Sequence, residues 1–295
     1  MRPDGPDAAD AFEEHRGLLF TVAYEMLGSV DDTEDVLQDS WLRWSGVDHA
    51  TVRDPRAYLV RLVTRQALNR LRTLKRRREA YVGPWLPEPL ATTPDVADDA
   101  ELADSVSIAM LVVLETLTPL ERAVFVLREV FGFEYDEIAT ATQRSAEAVR
   151  QVASRARKHV QARRPRVEPP ADAVTVAERF LAAAATGDVQ QLLDVMSPDV
   201  VLLTDGGGKT QAALRPIHGA DKVARWLHGI RPKAGSFTVA WTSANGRPGV
   251  LLHVDGVLDA FATFTVAEGK VQAVYLVRNP DKLGHLAEAR DLTRA

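Results

Sequence analysis

A short proline-rich segment constrains the fold of this chain more than any other feature of its sequence. Pro84, Pro87 and Pro89 fall within six residues. No long helix can cross them, because each proline lacks the backbone N–H that a helix needs and its ring clashes with the preceding turn. Trp85 and Leu86 lie inside the segment, and two large apolar side chains are unusual in a solvated connection. We therefore expect this segment to break the helical pattern and to dock against another part of the protein.

The segment separates two stretches with helical periodicity. A third stretch, further along the chain, has a different spacing of apolar residues. Apolar residues recur every three to four positions in residues 10–80 and again in 105–164, which predicts amphipathic helices. Residues 81–104 between them are predicted to form a proline-bearing, acidic linker, which could span about 60–70 Å if it were extended. Residues 173–295 begin with helices and continue as short strand-like runs separated by turns, which predicts an α+β domain with antiparallel strands.

Composition places the chain among globular proteins and excludes several other classes. The chain has 295 residues, 46% of them hydrophobic, which predicts about two domains. It contains no cysteine, which excludes disulfides, thiolate metal sites and cysteine nucleophiles. No apolar run reaches the roughly 18 residues of a membrane span, and residues 1–7 lack the apolar core of a signal peptide. We therefore expect a cytoplasmic protein with no membrane partner. The net charge of −5, taken alone, argues against nucleic-acid binding.

That net charge conceals a sorted arrangement of acids and bases. Residues 31–39 hold five acids and no base, and residues 88–104 hold six acids and no base. Residues 56–78 hold nine bases and no acid, and residues 144–166 hold eight bases against one acid, Glu147. A charge run is usually a solvated face, but both basic blocks also carry the apolar periodicity of packed helices. The blocks therefore indicate separate partners of opposite charge.

The second basic block lies in a predicted helix-turn-helix. One helix starts at Tyr135, and a second helix, capped by Ser145, follows it; Ile138 and Val149 are among the residues expected to pack the two together. An α-helix fits the major groove of DNA, where arginine reads guanine and glutamine reads adenine. The residues predicted to face DNA are Glu147, Arg150, Gln151, Ser154, Arg155, Arg157 and Lys158.

The first basic block and the first acidic block predict different partners. The helix over residues 56–78 carries Arg61, Arg65, Arg72, Lys75 and Arg76 on its polar side, where they can neutralise phosphates. The acidic helix over residues 31–44 repels DNA and suits a basic protein surface. Its candidate binding residues are Asp31, Asp32, Glu34, Asp35, Gln38 and Asp39. Taken alone, such an acidic helix is more often a solvated face than a binding site.

Together these motifs resemble an extracytoplasmic-function sigma factor of bacterial RNA polymerase. Glu34-Asp35-Val36-Leu37-Gln38-Asp39 resembles the polymerase-binding signature of sigma domain two, and residues 56–78 resemble the part that melts and reads the minus-ten promoter element. By position, Thr64, Arg65 and Asn69 are the implied minus-ten contacts. Residues 118–160 resemble sigma domain four, which reads the minus-thirty-five element. The resemblance implies core RNA polymerase and promoter DNA as partners, and a protein that is not an enzyme and needs no cofactor or metal.

Three further motifs are similar to those of one group within this family. Trp85-Leu86-Pro87-Glu88-Pro89, Asp205-Gly206-Gly207-Gly208-Lys209 and Asn279-Pro280-Asp281-Lys282-Leu283 are similar to motifs of members with a fused SnoaL-like C-terminal domain, a cone of helices on a curved sheet. The implied fold is multidomain: two all-α sigma domains, a helical bundle and a helix-turn-helix, followed by an α+β SnoaL-like cone. Glycines allow close backbone approach, so we expect the two C-terminal loops to bind Trp85 and to modulate activity within the chain.

Other functions stay open at this point. Cones of this type also act as enzymes through Asp/His acid–base groups. The candidates here are His218, His253, Asp205, Asp255, Trp226 and Tyr275, with no pair at a diagnostic spacing, and a lone histidine on an apolar strand is more often structural. The cone is also a candidate site for a small-molecule ligand. A helix-turn-helix activator with a sensor domain is a further alternative, although it leaves the acidic helix unexplained.

Overall fold

The computed structural model describes residues 8–164, 170–230 and 237–294. Three helices form an N-terminal helical domain: α1 (Ala8–Leu27), α2 (Val30–Trp44) and α3 (Pro55–Glu79). Ser29 caps α2 by accepting a hydrogen bond from the N–H of Asp32. Asp54 caps α3 by accepting one from the N–H of Ala57, with Pro55 in the first turn. These local signals explain why both helices begin where the sequence predicts.

The linker, residues 81–104, is folded rather than extended. It crosses the C-terminal domain without regular structure as far as Thr93, apart from isolated bridges, and then forms two short helices, α4 (Pro94–Asp98) and α5 (Ala100–Ser105). Leu86 and Leu90 are fully buried. The proline-rich segment is therefore docked, as its apolar residues indicate, because burying each of these side chains is worth about 2 kcal/mol, which favours a docked linker over a solvated one.

Four helices form a central helical domain: α6 (Ile108–Leu114), α7 (Pro119–Phe125), α8 (Tyr135–Thr142) and α9 (Ala146–Gln161). Thr118 and Glu121 form a reciprocal capping box at the start of α7. The turn between α8 and α9 contains Gln143 with a left-handed φ of 57°. Ile138 and Val149 are buried where the two helices meet. The predicted helix-turn-helix is therefore present, with its packing as expected.

The C-terminal domain combines three helices with one sheet. Its elements are α10 (Pro170–Thr186), α11 (Val189–Val195), β1 (Met196–Asp205), β2 (Ile217–His218), α12 (Ala220–Ile230), β3 (Phe237–Ala244), β4 (Arg247–Val254), β5 (Val257–Ala267) and β6 (Lys270–Val277). The strand order is β2-β1-β6-β5-β4-β3. Neighbours are antiparallel except β1 and β6, which run parallel with Asp205 opposite Val277. The antiparallel expectation is wrong at this pair, because the chain crosses over before β6 returns beside β1.

The two helical domains lie directly against each other. Their apolar side chains belong to one hydrophobic cluster. Arg65 of α3 donates to the carbonyl oxygens of Thr140 (2.9 Å) and Ala141 (3.3 Å) in α8. Arg122 of α7 donates to the carbonyl oxygen of Glu25 in α1 (2.9 Å). Within the described ranges, no helix is both long and apolar enough to cross a membrane.

Candidate functional site

A buried aspartate at the end of β1 binds the linker. Asp205 is fully buried. Its Oδ1 accepts hydrogen bonds from the Tyr81 hydroxyl (2.6 Å) and the N–H of Gly207 (3.0 Å). Its Oδ2 accepts from the N–H of Leu86 (2.9 Å) and from Nζ of Lys282 (2.8 Å). A buried carboxylate is tolerated only when it is paired in this way, so the docked linker supplies half of the partners of this carboxylate.

The loop that begins at Asn279 completes the surroundings of Tyr81. Asn279 Nδ2 donates to the Tyr81 hydroxyl (2.9 Å), which itself donates to Asp205. Gly207 has a positive φ of 59°, and a side chain there would collide with Asn279 and with the Tyr81 hydroxyl. Burial, reinforced by the Asp205 carboxylate, raises the pKa of Tyr81. The hydroxyl therefore stays protonated and serves as a donor at neutral pH.

A lysine joins this carboxylate to the tryptophan of the linker. Lys282 is 4% exposed, and its Nζ donates to the carbonyl oxygen of Leu86 (2.6 Å). The same Nζ lies 4.2 Å from the centre of the Trp85 ring, and the Arg78 guanidinium lies 3.6 Å from that centre. Burial lowers the pKa of Lys282, while the Asp205 carboxylate opposes the shift. Two cations therefore lie over the Trp85 ring, where each is attracted by its π electrons.

A second contact with the linker lies at the β3–β4 turn. Asn245 is 1% exposed and has a left-handed φ of 54°. Its Oδ1 accepts from the N–H of Leu90 (3.0 Å), and its Nδ2 donates to the Tyr24 hydroxyl (2.7 Å) and to the carbonyl oxygen of Val106 (2.9 Å). One side chain therefore joins the C-terminal domain to the linker, to α1 and to the segment that precedes α6.

We expect Asn245→Gly to loosen the linker without disturbing the turn. Glycine accepts the left-handed φ at this position, so only three buried side-chain hydrogen bonds are lost, each worth about 1 kcal/mol. Amide hydrogen exchange at Leu90 should accelerate roughly 10- to 100-fold. Glu268→Gly, at an exposed turn with a φ of 56°, is the matched control and should leave that rate unchanged. Equal rates in the two variants would contradict the prediction.

The C-terminal tail, residues 284–294, covers part of the acidic helix α2. Arg290 pairs with Glu34, and Nε2 of His285 lies 3.0 Å from the Asp31 carboxylate. The N–H of Arg290 also donates to the carbonyl oxygen of Ala91 (2.8 Å), so the tail runs beside the linker. The tail therefore engages two of the acids predicted to bind polymerase, and Arg70 of α3 engages two more, Asp32 and Asp35.

The linker residue Glu88 contacts the beginning of the same helix. Its Oε2 accepts from the N–H of Val30 (2.5 Å), at the positive end of the α2 dipole. Burial raises the pKa of Glu88. Glu88, Asp31 and His285 each place one ligand atom within 4.8 Å of the others, which makes them a candidate cation-binding set among the described residues. These side chains already bond to each other or to Val30, so the arrangement is explained without an ion.

On α9, the residues predicted to face DNA are mostly free to do so. Glu147, Arg150, Gln151, Ser154, Arg155 and Lys158 are all exposed. Arg157 is different, because it forms a bidentate ion pair with Glu129 through bonds of 2.6 and 2.9 Å. This pair fixes Arg157 against the short helical segment Val126–Val130, which follows α7, and leaves it less available for phosphates.

On α3, the predicted minus-ten contacts divide into two groups. Asn69, Arg72, Lys75 and Arg76 are exposed, and Arg61 is partly exposed. Arg65 is occupied by the carbonyl oxygens of α8. Thr64 is fully buried, and its Oγ1 has no hydrogen-bond partner. The expectation that Thr64 faces DNA does not hold in this arrangement, because it lies on the face of α3 that packs into the core.

Some residues of the two C-terminal motifs contact each other rather than the linker. Lys209 and Asp281 pair with each other and join the two C-terminal loops. Gly208 lies beside Val82, whereas Gly206 lies against Thr210. In the rest of the interface, Pro280 is exposed and Pro87 is buried near Gly28. The sequence patterns did not point to Tyr81, Asn245 or Arg290, because the partners of these residues lie far away in the chain.

The acid–base candidates of the cone do not come together. Asp205 is occupied by the linker, Tyr275 is buried, and His218 and Asp255 are exposed. None of the six candidates is among the described residues that line the apolar cavity of the C-terminal domain. The arrangement therefore does not support acid–base catalysis.

Comparison with known proteins identifies both helical domains. The chain matches the Sigma-70 region 2 family over residues 11–77 and the Sigma-70, region 4 family over residues 107–160. It is 38% identical to the ECF RNA polymerase sigma factor SigJ of Mycobacterium tuberculosis over 286 residues, which cover 92% of this chain and 91% of SigJ. It is also 31% identical to the probable ECF RNA polymerase sigma factor SigI of the same organism, with 94% of each chain covered.

The likeness extends through the C-terminal domain. The crystal structure of the extracytoplasmic function sigma factor SigJ of M. tuberculosis matches with a TM-score of 0.75 at 35% identity and covers 94% of this chain and 98% of that chain. The resemblance inferred from the acidic helix, the basic helix and the helix-turn-helix is thus confirmed. With both sigma regions present in order and relatives matched over almost their whole length, the chain belongs to the extracytoplasmic function (ECF) sigma factors of RNA polymerase.

Proposed function

We propose that this sigma factor directs core RNA polymerase to promoters through α2, α3 and α9, and that its C-terminal domain keeps these helices in a closed form until it is released. In this proposal sigma domain two spans residues 10–80, the linker 81–104, sigma domain four 105–164 and the regulatory domain 173–295. The observation that carries the proposal is the buried Asp205 carboxylate bound to the linker. A domain that binds the linker restrains both sigma domains that the linker joins.

The closed form also leaves fewer binding groups free. Glu34 and Asp31 of α2 are engaged by the C-terminal tail. Arg65 of α3 is engaged by α8. Polymerase and the minus-ten element would need these groups, so both partners compete with contacts inside the chain. An intramolecular contact has a high effective concentration, so weak pairs are enough to compete.

Transcription by the full-length chain with purified core polymerase tests this proposal. Promoter-specific RNA should appear with the wild-type chain and should increase when the contact between the linker and the C-terminal domain is weakened. If neither the wild-type chain nor a linker variant supports promoter-specific RNA, the proposal is wrong. Tight binding of the isolated chain to duplex promoter DNA would favour the activator alternative instead.

Two substitutions on α9 distinguish sequence recognition from phosphate binding. Arg150→Ala should reduce transcription about 10- to 100-fold from a promoter that has its minus-thirty-five element and much less from one that lacks it, because a base contact is worth about 1–3 kcal/mol. Lys158→Ala should weaken both promoters alike and reduce the salt dependence by about one charge. Both side chains are exposed on α9. Equal losses on the two promoters for Arg150→Ala would contradict its role in base recognition.

We expect Arg290→Ala to increase the affinity for core polymerase. The variant removes one of the two ion pairs of Glu34, the other being with Arg16. The pair with Arg290 leaves both side chains 32% exposed, so the gain is limited to about 1 kcal/mol, or roughly five-fold in Kd. Fluorescence anisotropy with labelled full-length chain measures it. Arg215→Ala, at an exposed position in the same domain, removes the same charge and should have no effect. An unchanged or weaker affinity for Arg290→Ala would contradict this role of the tail.

We also propose that the C-terminal domain binds a small molecule. The C-terminal domain contains a cavity of about 290 Å³ between α10, α12 and the sheet. This volume is close to the lower end of the range for ligand sites, about 300–1,000 Å³. The cavity is therefore suited to a small ligand rather than to an extended one.

A further inference from the structure

We infer that the cavity of the C-terminal domain binds an uncharged, mostly hydrocarbon molecule with one carbonyl or hydroxyl oxygen, and that this ligand strengthens the hold of the domain on the linker. The inference rests on the proposed function, in which contact with the linker is regulatory. All but three of the described residues that line the cavity are apolar, including Phe180, Leu227, Phe264 and Leu276. Such walls favour hydrocarbon by about 25 cal/mol per Å² of buried apolar surface.

The three polar residues found in the described part of the cavity wall argue against a charged ligand. They are Gln211, Asp259 and Arg278. Arg278 binds both carboxylate oxygens of Asp259, through Nε at 3.0 Å and Nη2 at 2.9 Å. A charged ligand would have to break this bidentate pair or enter without a counter-ion, and either is costly.

Arg278 is also the reason why we expect the ligand to carry one oxygen atom. Its third hydrogen bond runs from Nη1 to the carbonyl oxygen of Gln211 (2.6 Å). A guanidinium has five N–H donors, so among residues 8–164, 170–230 and 237–294 these three bonds leave two donors for an acceptor. One carbonyl or hydroxyl oxygen on an otherwise apolar molecule meets this requirement.

The same arginine connects the cavity to the linker. The N–H of Arg278 donates to the carbonyl oxygen of Asp205 (2.7 Å), and the Thr210 hydroxyl donates to the carbonyl oxygen of Arg278 (3.0 Å). The Asp205 carboxylate in turn binds Tyr81 and the N–H of Leu86. The position of Arg278 therefore helps to set both the shape of the cavity and the position of the carboxylate that binds the linker.

The direction of the effect follows from linkage. The cavity has its observed shape while the linker is docked, so a ligand that fits it binds the closed form more tightly than a form in which Arg278 and Asp205 have moved. Such a ligand shifts the population toward the closed form. Binding is therefore expected to reduce transcription rather than to activate it.

Binding can be tested with prodan, an uncharged naphthalene ketone whose emission moves to the blue in apolar surroundings. Titration of the full-length chain should show saturable one-to-one binding. Ala184→Phe, which fills the cavity from α10, should weaken binding at least ten-fold, and Ala185→Leu is a milder second variant at the same wall. Ala182→Phe, exposed on the same helix, should bind like the wild type. An anilinonaphthalene sulfonate, which is similar in size but charged, should bind at least ten-fold more weakly.

Coupling can be tested by deuterium exchange of residues 81–92 in the full-length chain. At ten times its Kd, prodan should slow this exchange by up to about ten-fold in the wild type and in Ala182→Phe, and should not slow it in Ala184→Phe. Absence of saturable binding, equal binding of the charged probe, or binding without slower exchange would each overturn the inference.

If prodan does not bind but release of the linker still raises transcription, this inference is wrong and the proposed function is unaffected. If prodan behaves as expected but release leaves transcription unchanged, the proposed function falls.

Discussion

Asp205→Asn should release the linker and raise promoter-specific transcription by the full-length chain at least about ten-fold. Asparagine has the shape of aspartate but not its charge, and its amide group can place a donor against the N–H of Leu86 and the ammonium of Lys282. In the closed form Lys282 is buried and would lack its counter-charge. Breaking one side of such a pair costs about 3–5 kcal/mol. The cost applies to the closed form alone, because Lys282 returns to water when the linker leaves.

The matched control is another aspartate–lysine pair in the same two loops. Asp281 pairs with Lys209, with side chains 61% and 53% exposed. Exposed pairs are worth about 0–1 kcal/mol, so Asp281→Asn should change transcription little. Run-off transcription at a fixed polymerase concentration gives the comparison, and far-UV circular dichroism shows that both variants fold. Similar transcription from Asp205→Asn and Asp281→Asn would contradict the assigned role of the buried carboxylate.

The net charge of the chain takes on a different meaning once these contacts are known. The acids of the linker and of α2 find bases within the chain: Asp99 binds Arg294, Asp104 binds Arg247, and Asp32 binds Arg70. An overall charge of −5 therefore does not describe a uniformly acidic surface. The sorted blocks give the closed form its internal ion pairs, while the exposed bases on α9 keep a surface that suits promoter DNA.

The parts of this fold that depend on local signals could be predicted from the sequence. Thr118 and Glu121 mark the start of α7, and the Asn245-Gly246 pair between two strand-like runs marks a hairpin turn. Both signals act over a few residues, so the sequence alone contains the information. The resemblance to sigma factors supplied the order of domains for the same reason, because its motifs are short and contiguous.

The docking of the linker could not be predicted in the same way. Tyr81 and Asp205 are 124 residues apart in sequence, and Leu90 and Asn245 are 155 apart, so no local pattern reports their contact. Thr64 is a different case. It lies four residues after Val60 and seven before Leu71, on the apolar stripe of α3, and this spacing could have indicated that Thr64 is buried.

The free energy of unfolding should fall as the pH rises from about 6 to about 8, because α1 buries a carboxyl group. Glu25 is fully buried; its Oε1 accepts a hydrogen bond from the Ser105 hydroxyl (2.8 Å), and its Oε2 has no partner. Burial raises the pKa of Glu25 to about 8, although Arg122 and Arg294 act in the opposite direction. In an unfolded chain the group has its ordinary pKa of about 4.3.

Between those two pKa values the folded chain keeps a proton that the unfolded chain has released. The free energy of unfolding therefore decreases by about 1.4 kcal/mol for each pH unit and levels off above about pH 8. Burial also raises the pKa of Glu88, which adds a contribution of the same sign. Urea unfolding of the full-length chain at several pH values between about 6 and 8 measures the slope.

Glu25→Gln assigns the slope to this residue. Glutamine can still accept the hydrogen bond from Ser105 and carries no proton to lose, so the variant should keep only the smaller slope left by other groups. At about pH 8 its free energy of unfolding should exceed that of the wild type by roughly 3 kcal/mol. At that pH the folded wild type must either protonate the Glu25 carboxyl group or bury its negative charge, and both cost free energy. Glu14→Gln, exposed on the same helix, should retain the wild-type slope. A slope that Glu25→Gln leaves intact would show that the proton is held elsewhere.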